Sequence, residues 1–424
     1  MPDPAPRSET AALLQQRAYI LFLFGRFLST LAVQVQATTI AWQIYALARQ
    51  QGADIKEASF TLSMIGLIQF LPVLILTLPA GQFADHHNRR NIMVWTLLAD
   101  LVSTTVLALL GFLNPIIWPI FVIAAAFGCS RAFTSPAGGA LAPMLVPREL
   151  MPRALAWNSL AWQVGTIAGP VLGGGVLALA AHFGQDRHGP GWAYVTSGVL
   201  YVGSVSTLLL IRANTTPERQ AGSRWAMMKE GLAYVWREKI VLGAISLDLF
   251  AVILGGATLL LPAFAADVLK VGPEGYGLLR ASPGAGAALM ALYLASHPVK
   301  SRAGTIMFTG VFVFGAATVV FGLSKIMWLS VAALALLGGA DMVSVYVRQT
   351  LVQIVTPDHM RGRVASVSGL FIGASNELGE FESGLVARFL GPVGAAVFGG
   401  VGAMIVTGVW ARMFPALRKA DKLA

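Results

Sequence analysis

Long apolar stretches recur along almost the whole chain, and each is long enough to cross a lipid bilayer. A membrane-crossing helix takes about 20 apolar residues, because its backbone polar groups find no water in the hydrocarbon and must hydrogen-bond within the segment. The sequence predicts twelve such spans, numbered one to twelve, near residues 18–46, 60–84, 91–111, 115–141, 154–181, 192–211, 239–266, 275–298, 303–323, 327–352, 364–389 and 393–414. These spans predict an all-α integral membrane protein with twelve transmembrane helices.

The composition agrees with a membrane protein, since 56% of the residues are hydrophobic and only 12% are charged. That balance excludes an ordinary water-soluble enzyme. Residues 1–17 are polar and contain neither an apolar core nor a small-residue cleavage site, so we expect no removable signal peptide. The single cysteine, Cys129, lies in an apolar run, which excludes an internal disulfide framework.

The net charge of +10 follows from the orientation of the spans and does not indicate nucleic acid binding. With a cytoplasmic N-terminus, the predicted cytoplasmic segments hold twenty lysines and arginines. The opposite side holds six, namely Arg49, Lys56, Arg187, Lys270, Lys325 and Arg388. Such an excess marks the cytoplasmic side of a membrane protein. We therefore expect both termini in the cytoplasm, a multi-pass location in a bacterial inner membrane, and no nucleic acid partner.

The longest polar loop separates span six from span seven and predicts two six-helix halves. The predicted N-terminal half covers residues 1–212, the cytoplasmic linker 213–237, and the C-terminal half 238–424. Within the linker, apolar residues recur at helical spacing at Trp225, Met228, Leu232 and Val235. This pattern predicts an amphipathic helix on the cytoplasmic membrane face, with a disordered linker as the alternative.

The two halves resemble copies of one unit. When the chain is shifted by 210 residues, Pro147 aligns with Pro357, Arg153 with Arg363, Gly169 with Gly379, and Gly174 with Gly384. All four matches lie in the loop between the fourth and fifth spans of a half and in the helix that follows. Parallel six-span repeats are a recurrent plan of secondary transporters, in which the substrate path lies between the halves.

A charged turn, "GQFADHHNRR", follows span two on the predicted cytoplasmic side. Gly81 permits close helix approach, and Asp85 at a helix end is placed to pair with Arg90 or with a nearby helix terminus. Such a cluster, together with Arg89, would latch the cytoplasmic side in one conformation and break in the other. A solvated basic turn that only sets the topology is the alternative.

Small residues recur in span five, in the stretch "GTIAGPVLGG". The residues with this spacing are Gly165, Gly169, Pro170, Gly173 and Gly174. Glycines four residues apart let helix backbones approach closely, and proline weakens the helix so that it can bend. The pattern favours a closely packed, bendable fifth helix, although tight packing alone would also explain it.

Both stretches resemble motifs of the major facilitator superfamily. The turn is similar to its signature loop, Gly-x-Leu-Ala-Asp-Arg-x-Gly-Arg-Arg/Lys, with Gly81, Ala84, Asp85, Arg89 and Arg90 on pattern and Phe83, His86 and Asn88 departing from it. The span five stretch resembles the antiporter motif of the drug-exporting branches. The whole chain most resembles the branch that includes the enterobactin exporter and related bacterial secretion carriers. That resemblance implies a proton-driven exporter of siderophores or hydrophobic toxic compounds.

Ionisable residues inside the spans are the candidates for proton coupling or substrate binding, because each is costly in lipid. They are Arg26, Arg131, Asp248, Asp341, Arg348, Glu377 and Glu380, with Asp100 and Glu382 as further acids inside the spans. Asp248 and Glu380 are the first choices for the coupling proton, and a structural acid bonded to an arginine such as Arg348 is the alternative. Arg131 resembles the superfamily's membrane arginine in span four, although the glycine expected four residues later is missing. Because Arg131 aligns with Asp341 in the repeat, the two residues are a candidate pair across the halves.

These features predict a monomeric, proton-coupled secondary transporter that exports a small amphipathic molecule, such as a siderophore, drug or toxic metabolite, by alternating access. Aromatic and polar side chains that suit such a cargo are Trp42, Tyr45, Phe60, Gln34, Gln36, Gln69 and Asn158. An importer using proton symport and a transport-inactive membrane receptor are the alternatives. The six histidines form no metal-ligand pattern, and the chain has no nucleotide-binding loop, so we expect no enzyme activity, metal or cofactor.

Overall fold

The computed structural model describes residues 9–113, 116–213, 215–216 and 224–421. The described residues exclude residues 1–8 of the N-terminal segment and residues 217–223 of the linker. The signal-peptide prediction and part of the linker prediction concern those excluded residues. Within the described chain, 11 helices are long and apolar enough to cross a membrane. The longest has 56 residues and joins two helices at Gly391, whose φ of 75° and ψ of 168° are not helical. The twelve predicted spans are therefore confirmed.

The observed helices agree with the predicted spans to within a few residues. Spans one to six are Arg17–Gln50, Ile55–His86, Arg89–Phe112, Ile117–Leu141, Met151–His182 and Gly189–Leu209. Span seven begins with the helix Lys239–Leu254 and continues to Val268. Spans eight to ten are Gly272–Ser296, Ala303–Leu323 and Met327–Val355, and spans eleven and twelve share Asp358–Met413. All twelve predicted spans are therefore helical.

Span seven changes its helical form at a pair of glycines. After Leu254 the chain continues through the short turns Ala257–Leu260 and Leu261–Ala263 into a π-helix, Phe264–Val268. A Cβ atom added at Gly256 would lie 2.4 Å from the carbonyl oxygen of Gly379 in span eleven. Spans seven and eleven therefore approach each other backbone to backbone at this break, which only glycine permits.

The chain forms two compact units. The first unit contains Met1–Ile40 and Leu71–Ala221, and the second contains Ala41–Phe70 and Gly222–Ala424. The predicted division into halves at the linker stays a prediction. The end of span one and the start of span two, which the repeat assigns to the N-terminal half, belong to the second unit by their contacts.

The first unit is held together by an apolar core and by buried polar links between its helices. Its core includes Phe22, Leu97 and Leu141 from three different spans. Tyr19 in span one donates a hydrogen bond of 2.6 Å to the carbonyl oxygen of Ala154 in span five. A backbone carbonyl that accepts such a bond fixes the relative position of two helices, since a buried polar group without a partner is costly.

The predicted linker helix is present as Arg224–Arg237 in the second unit. Val235 is buried against Val364 of span eleven, and Tyr234 donates a hydrogen bond of 3.0 Å to the carbonyl oxygen of Val355. Trp225 and Leu232 are 55% and 42% exposed, and the amphipathic role of their face stays a prediction. The face that packs on span eleven is set by the close approach of Gly231 to that helix. Its location on the membrane surface stays a prediction.

Candidate functional site

The second unit buries an ion pair between spans seven and ten. Nη2 of Arg348 lies 3.2 Å from Oδ1 of Asp248, and the two residues are only 2% and 6% exposed. A buried charge persists only when it is paired and hydrogen-bonded, so each residue requires the other. This ion pair matches the alternative given for Asp248 in the sequence analysis, a structural acid bonded to Arg348. Whether Asp248 also carries a proton stays a prediction.

The Arg348 side chain has hydrogen-bonding capacity left over. Its Nε and Nη1 atoms are buried and make no hydrogen bond within the described part of the chain. A guanidinium whose N–H donors are not all used can donate hydrogen bonds to a second carboxylate or to a water molecule.

Asp341 is the second carboxylate, two helical turns before Arg348 in span ten. It interacts electrostatically with both Asp248 and Arg348. A cavity of about 10 Å³ adjoins both acids. It is lined by Asp248, Ala251, Val252, Val311, Phe314, Asp341 and Ser344. That volume is close to the minimum for one water molecule. We call Asp248, Asp341 and Arg348 the triad.

The triad contains two acids and one base. With both carboxylates ionised it has an excess negative charge, and one bound proton makes it neutral. In a medium of low dielectric constant the neutral arrangement is strongly favoured, because an uncompensated charge is poorly solvated. Such a site is suited to taking up and releasing a single proton as its contact with water changes.

The acids of span eleven lie beside span two within the second unit. A Cβ atom added at Gly66 would lie 3.0 Å from the carbonyl oxygen of Glu377 and 3.1 Å from Cβ of Glu380. Glu377 is 8% exposed. The Glu382 side chain has Ser383 as its hydrogen-bonding neighbour. The role of Glu377 and Glu380 in proton coupling stays a prediction.

The ionisable residues of the first unit are distributed over separate helices. Nη1 of Arg26 in span one occupies the space next to Gly138 of span four, where an added Cβ atom would lie 2.8 Å away. Its Nε is buried and has no hydrogen-bond partner among the described residues. Arg131 is an exposed residue of span four, and its pairing with Asp341 stays a prediction.

A buried polar group of the first unit links spans one, three and six. Oε1 of Gln36 accepts hydrogen bonds from the hydroxyls of Tyr201, at 3.0 Å, and Thr104, at 3.3 Å. Asp100 lies in the same buried region, with the Ser130 side chain as its hydrogen-bonding neighbour. Gln36, predicted as a cargo-facing residue, is 3% exposed and holds helices together in this structure.

The two arginines of the charged turn bind the ends of helices in the first unit. Arg90 donates from Nε to the carbonyl oxygen of Leu208 at 2.8 Å and from Nη2 to that of Leu209 at 2.7 Å. Arg89 donates from Nη1 to the carbonyl oxygen of Ala140 at 2.9 Å. These carbonyls end spans six and four, where the helix dipole favours a positive charge. The latch involving Asp85 and Gly81 stays a prediction.

The glycines of span five pack directly on span one, as their spacing predicts. A Cβ atom added at Gly165 would lie 2.7 Å from Cγ2 of Thr30, and one at Gly169 would lie 2.4 Å from Cβ of Gln34. At Gly173 it would lie 3.2 Å from the carbonyl oxygen of Val35. Pro170 and Gly174 are buried in the same helix. The close packing is confirmed, while its use in antiport stays a prediction.

Two polar groups in the second unit were not identified from the sequence. Asp267, just past the predicted end of span seven, forms an ion pair of 3.2 Å with Arg49 and accepts a hydrogen bond from Tyr45. Arg280, within span eight, donates from Nη1 to the hydroxyl of Tyr276 at 3.4 Å. Arg280 was recognisable as a charge inside an apolar span, whereas the role of Asp267 depends on the π-helix that carries it.

Comparisons with known proteins agree with this architecture. A family described as transmembrane secretion effectors matches residues 8–424. The multidrug efflux pump Tap of Mycolicibacterium fortuitum is 27% identical over 373 residues, which cover 85% of this chain and 88% of Tap. The enterobactin exporter EntS of Shigella boydii serotype 18 is 24% identical over 394 residues, which cover 92% of this chain and 86% of EntS.

Solved transporter structures share the fold at low sequence identity. One is a bacterial homologue of the human lysosomal transporter Spinster in an inward-facing and unoccupied conformation, with a TM-score of 0.69, 14% identity, and coverage of 95% of this chain and 96% of that one. A POT family transporter in complex with 5-aminolevulinic acid has a TM-score of 0.72, 11% identity and the same coverage. At these identities the likeness concerns the fold alone.

Proposed function

Because the chain belongs to the transmembrane secretion effector family of the major facilitator superfamily, we propose that it exports a small amphipathic molecule in exchange for protons. The family and its relatives are membrane transporters, and the two named relatives are an efflux pump and an exporter. Export across a bacterial inner membrane, with both termini in the cytoplasm, is the function that these relationships and the positive-inside charge pattern support. The observation that carries proton coupling is the triad.

Proton coupling requires a group whose charge changes during the transport cycle. That change must also alter the relative stability of the two packings of the surrounding helices. The triad joins span seven to span ten through Asp248 and Arg348, and Asp341 is next to both. When Asp341 binds a proton, Arg348 is neutralised by Asp248 alone. When the proton leaves, two carboxylates compete for the same guanidinium. The helices that hold the three groups are thereby biased toward different packings in the two protonation states.

Proton release from Asp341 needs contact with water, and a water-sized cavity already adjoins it. In an alternating-access cycle, that contact would open on one side of the membrane and close on the other. After the proton has left, Nε and Nη1 of Arg348 are the groups that donate hydrogen bonds to the carboxylate of Asp341. Asp248 has the positioning role, because it holds the guanidinium in place.

Two motifs of the first unit are proposed to serve the conformational change. Arg89 and Arg90 hold the ends of spans four and six, so that the charged turn moves together with those helices. The glycines of span five let this helix slide or bend against span one without a barrier of interlocking side chains. Exchange of cargo for protons, by rocking of the repeats, is the mechanism that such packing supports.

Import by proton symport and a receptor without transport are the rival functions. The spacing of glycines in span five favours export over both, and so do the two named relatives, an efflux pump and an exporter. The deciding experiment uses purified full-length protein in sealed liposomes that hold a pH-sensitive dye. A proton gradient is imposed, and siderophores and lipophilic cations are supplied in turn. Proton movement opposite to the cargo is expected; movement in the same direction supports symport, and binding without flux supports a receptor.

The same liposomes test the triad. Asp341→Asn cannot exchange a proton and is expected to abolish cargo-dependent proton flux while the protein still folds. The matched control is Asp186→Asn, which makes the same chemical change at the exposed first residue of the short 3₁₀ helix Asp186–His188. Full proton-driven flux in Asp341→Asn would remove the triad from the coupling mechanism.

A further inference from the structure

Span eight presents a charge on the side away from its exposed apolar face. Leu278, Leu289 and Leu292 are 43%, 69% and 69% exposed, and they form one stripe of the helix. At 100° per residue, Arg280 projects about 200° away from Leu278 around the helix axis. Arg280 is only partly buried, so its charge is accessible on a face that is not the apolar, lipid-suited one.

The guanidinium of Arg280 makes only one long hydrogen bond to the described part of the protein. Within the residues that the structure describes, its one hydrogen bond goes to the hydroxyl of Tyr276, at a long 3.4 Å. A guanidinium has several further N–H donors in a planar fork that matches a carboxylate or sulfonate. A cation inside a membrane span is costly and ordinarily has a partner or a function.

An aromatic surface lies beside this cation. Tyr276 is fully buried, and its ring stacks on that of Trp42 with centroids 5.6 Å apart and planes at 24°. Trp42 is partly exposed, so part of its ring system is available to a ligand. Trp42, Tyr276 and Arg280 all belong to the second unit. Together they place an aromatic platform next to an under-used positive charge.

Glu380 of span eleven also lies near this aromatic surface. Glu380 interacts electrostatically with Tyr276. Its carboxylate is directed toward span two, since Oε2 would lie 3.5 Å from a Cβ atom added at Gly66. The carboxylate of Glu380 therefore has Gly66 of span two as a neighbour, while the guanidinium of Arg280 has the hydroxyl of Tyr276.

We propose that Arg280 and Trp42, both held by the buried Tyr276, form a binding site for the anionic group and the adjoining aromatic ring of the cargo. The substrate class is an amphipathic aromatic molecule with a carboxylate, sulfonate or ionised phenol. This inference rests on the proposed export function, because it assigns the cargo that the transporter would move. Arg280 sets the charge preference, and Trp42 supplies affinity that does not depend on charge.

The test uses two dyes of the same xanthene ring system and opposite charge, the anion carboxyfluorescein and the cationic tetramethylrhodamine ethyl ester. Binding to full-length protein in detergent is followed by fluorescence polarisation. Arg280→Gln is expected to weaken binding of the anion about tenfold or more, the loss that removing a hydrogen bond to a charged group produces. Binding of the cation is expected to stay the same or to tighten.

Three further variants make the result specific. Arg280→Lys keeps the charge and is expected to retain most of the anion affinity. Trp42→Leu is expected to weaken both dyes, because it removes the aromatic platform. Arg412→Gln makes the same change at an exposed arginine at the end of span twelve and serves as the control. Thermal unfolding of each variant shows that it is folded, and Trp42→Leu tests the site if Arg280→Gln does not fold.

The inference is overturned if the wild type binds carboxyfluorescein no more tightly than Arg280→Gln does, or if Arg280→Gln weakens both dyes equally. Neither result depends on transport. The export function is judged separately from proton-linked flux in liposomes. A protein that binds the anion through Arg280 but moves no protons would retain the site and lose the proposed export.

Discussion

Arg348 is the residue on which the candidate coupling site depends. It is 2% exposed, and its ion pair with Asp248 is the reason that a full positive charge is tolerated between spans seven and ten. Burying the pair is costly in itself, because both groups lose their hydration. The pair is therefore better explained by a requirement for charge inside the second unit than by stability.

Loss of the Asp248 carboxylate is expected to destabilise the protein. Asp248→Asn leaves the guanidinium of Arg348 without its counter-charge, and breaking a buried pair in this way costs about 3–5 kcal/mol. Asp341 can take over part of the pairing, so we expect the lower end of that range. The measurement is thermal unfolding of the purified protein in detergent, followed by tryptophan fluorescence.

The double variant Asp248→Asn/Arg348→Met is the control for that prediction. Removing both charges avoids the unpaired cation, and apolar replacements of buried pairs are often neutral. It is expected to unfold at a higher temperature than Asp248→Asn alone. Equal unfolding temperatures for the single and double variants would mean that the ion pair does not hold the two spans together.

At the scale of the helices, spans one and five are joined by backbone contact. Gly169 is the tightest point of span five, since a Cβ atom added there would lie 2.4 Å from Cβ of Gln34 and 3.3 Å from the carbonyl oxygen of Leu31. Gly169→Ala would force the helices apart, and overpacking of this kind costs about 1–3 kcal/mol.

The same helix provides a matched control. A Cβ atom added at Gly175 would meet nothing within 4 Å, so Gly175→Ala is expected to leave stability unchanged or slightly raised. Thermal unfolding and proton-linked flux are to be measured for both variants. Gly169→Ala is expected to lower both, and equal behaviour of the two variants would show that the close approach is dispensable.

The helices were predictable from the sequence, and most of the site was not. The hydrocarbon requires about 20 apolar residues per span, so the apolar runs alone gave the bounds of span nine, 303–323, without error. Contacts between helices depend instead on their rotation and depth, which no single run encodes. Hence Asp248 and Arg348 were identifiable as buried charges, whereas the position of Asp341 beside both required the packed structure.

At the scale of the whole molecule, the positive-inside pattern predicts which loops face which side of the membrane, and chemical labelling tests this directly. Cys129 is the single cysteine and is partly buried in span four, so Cys129→Ser gives a background without thiols. Lys325→Cys and Lys300→Cys each add one thiol at an exposed loop position, on opposite predicted sides. In right-side-out vesicles, a membrane-impermeant maleimide is expected to label Lys325→Cys and to leave Lys300→Cys unlabelled until detergent is added. The reverse pattern would place both termini outside and invert the proposed direction of transport, whereas labelling of both without detergent would contradict the predicted number of crossings between the two positions.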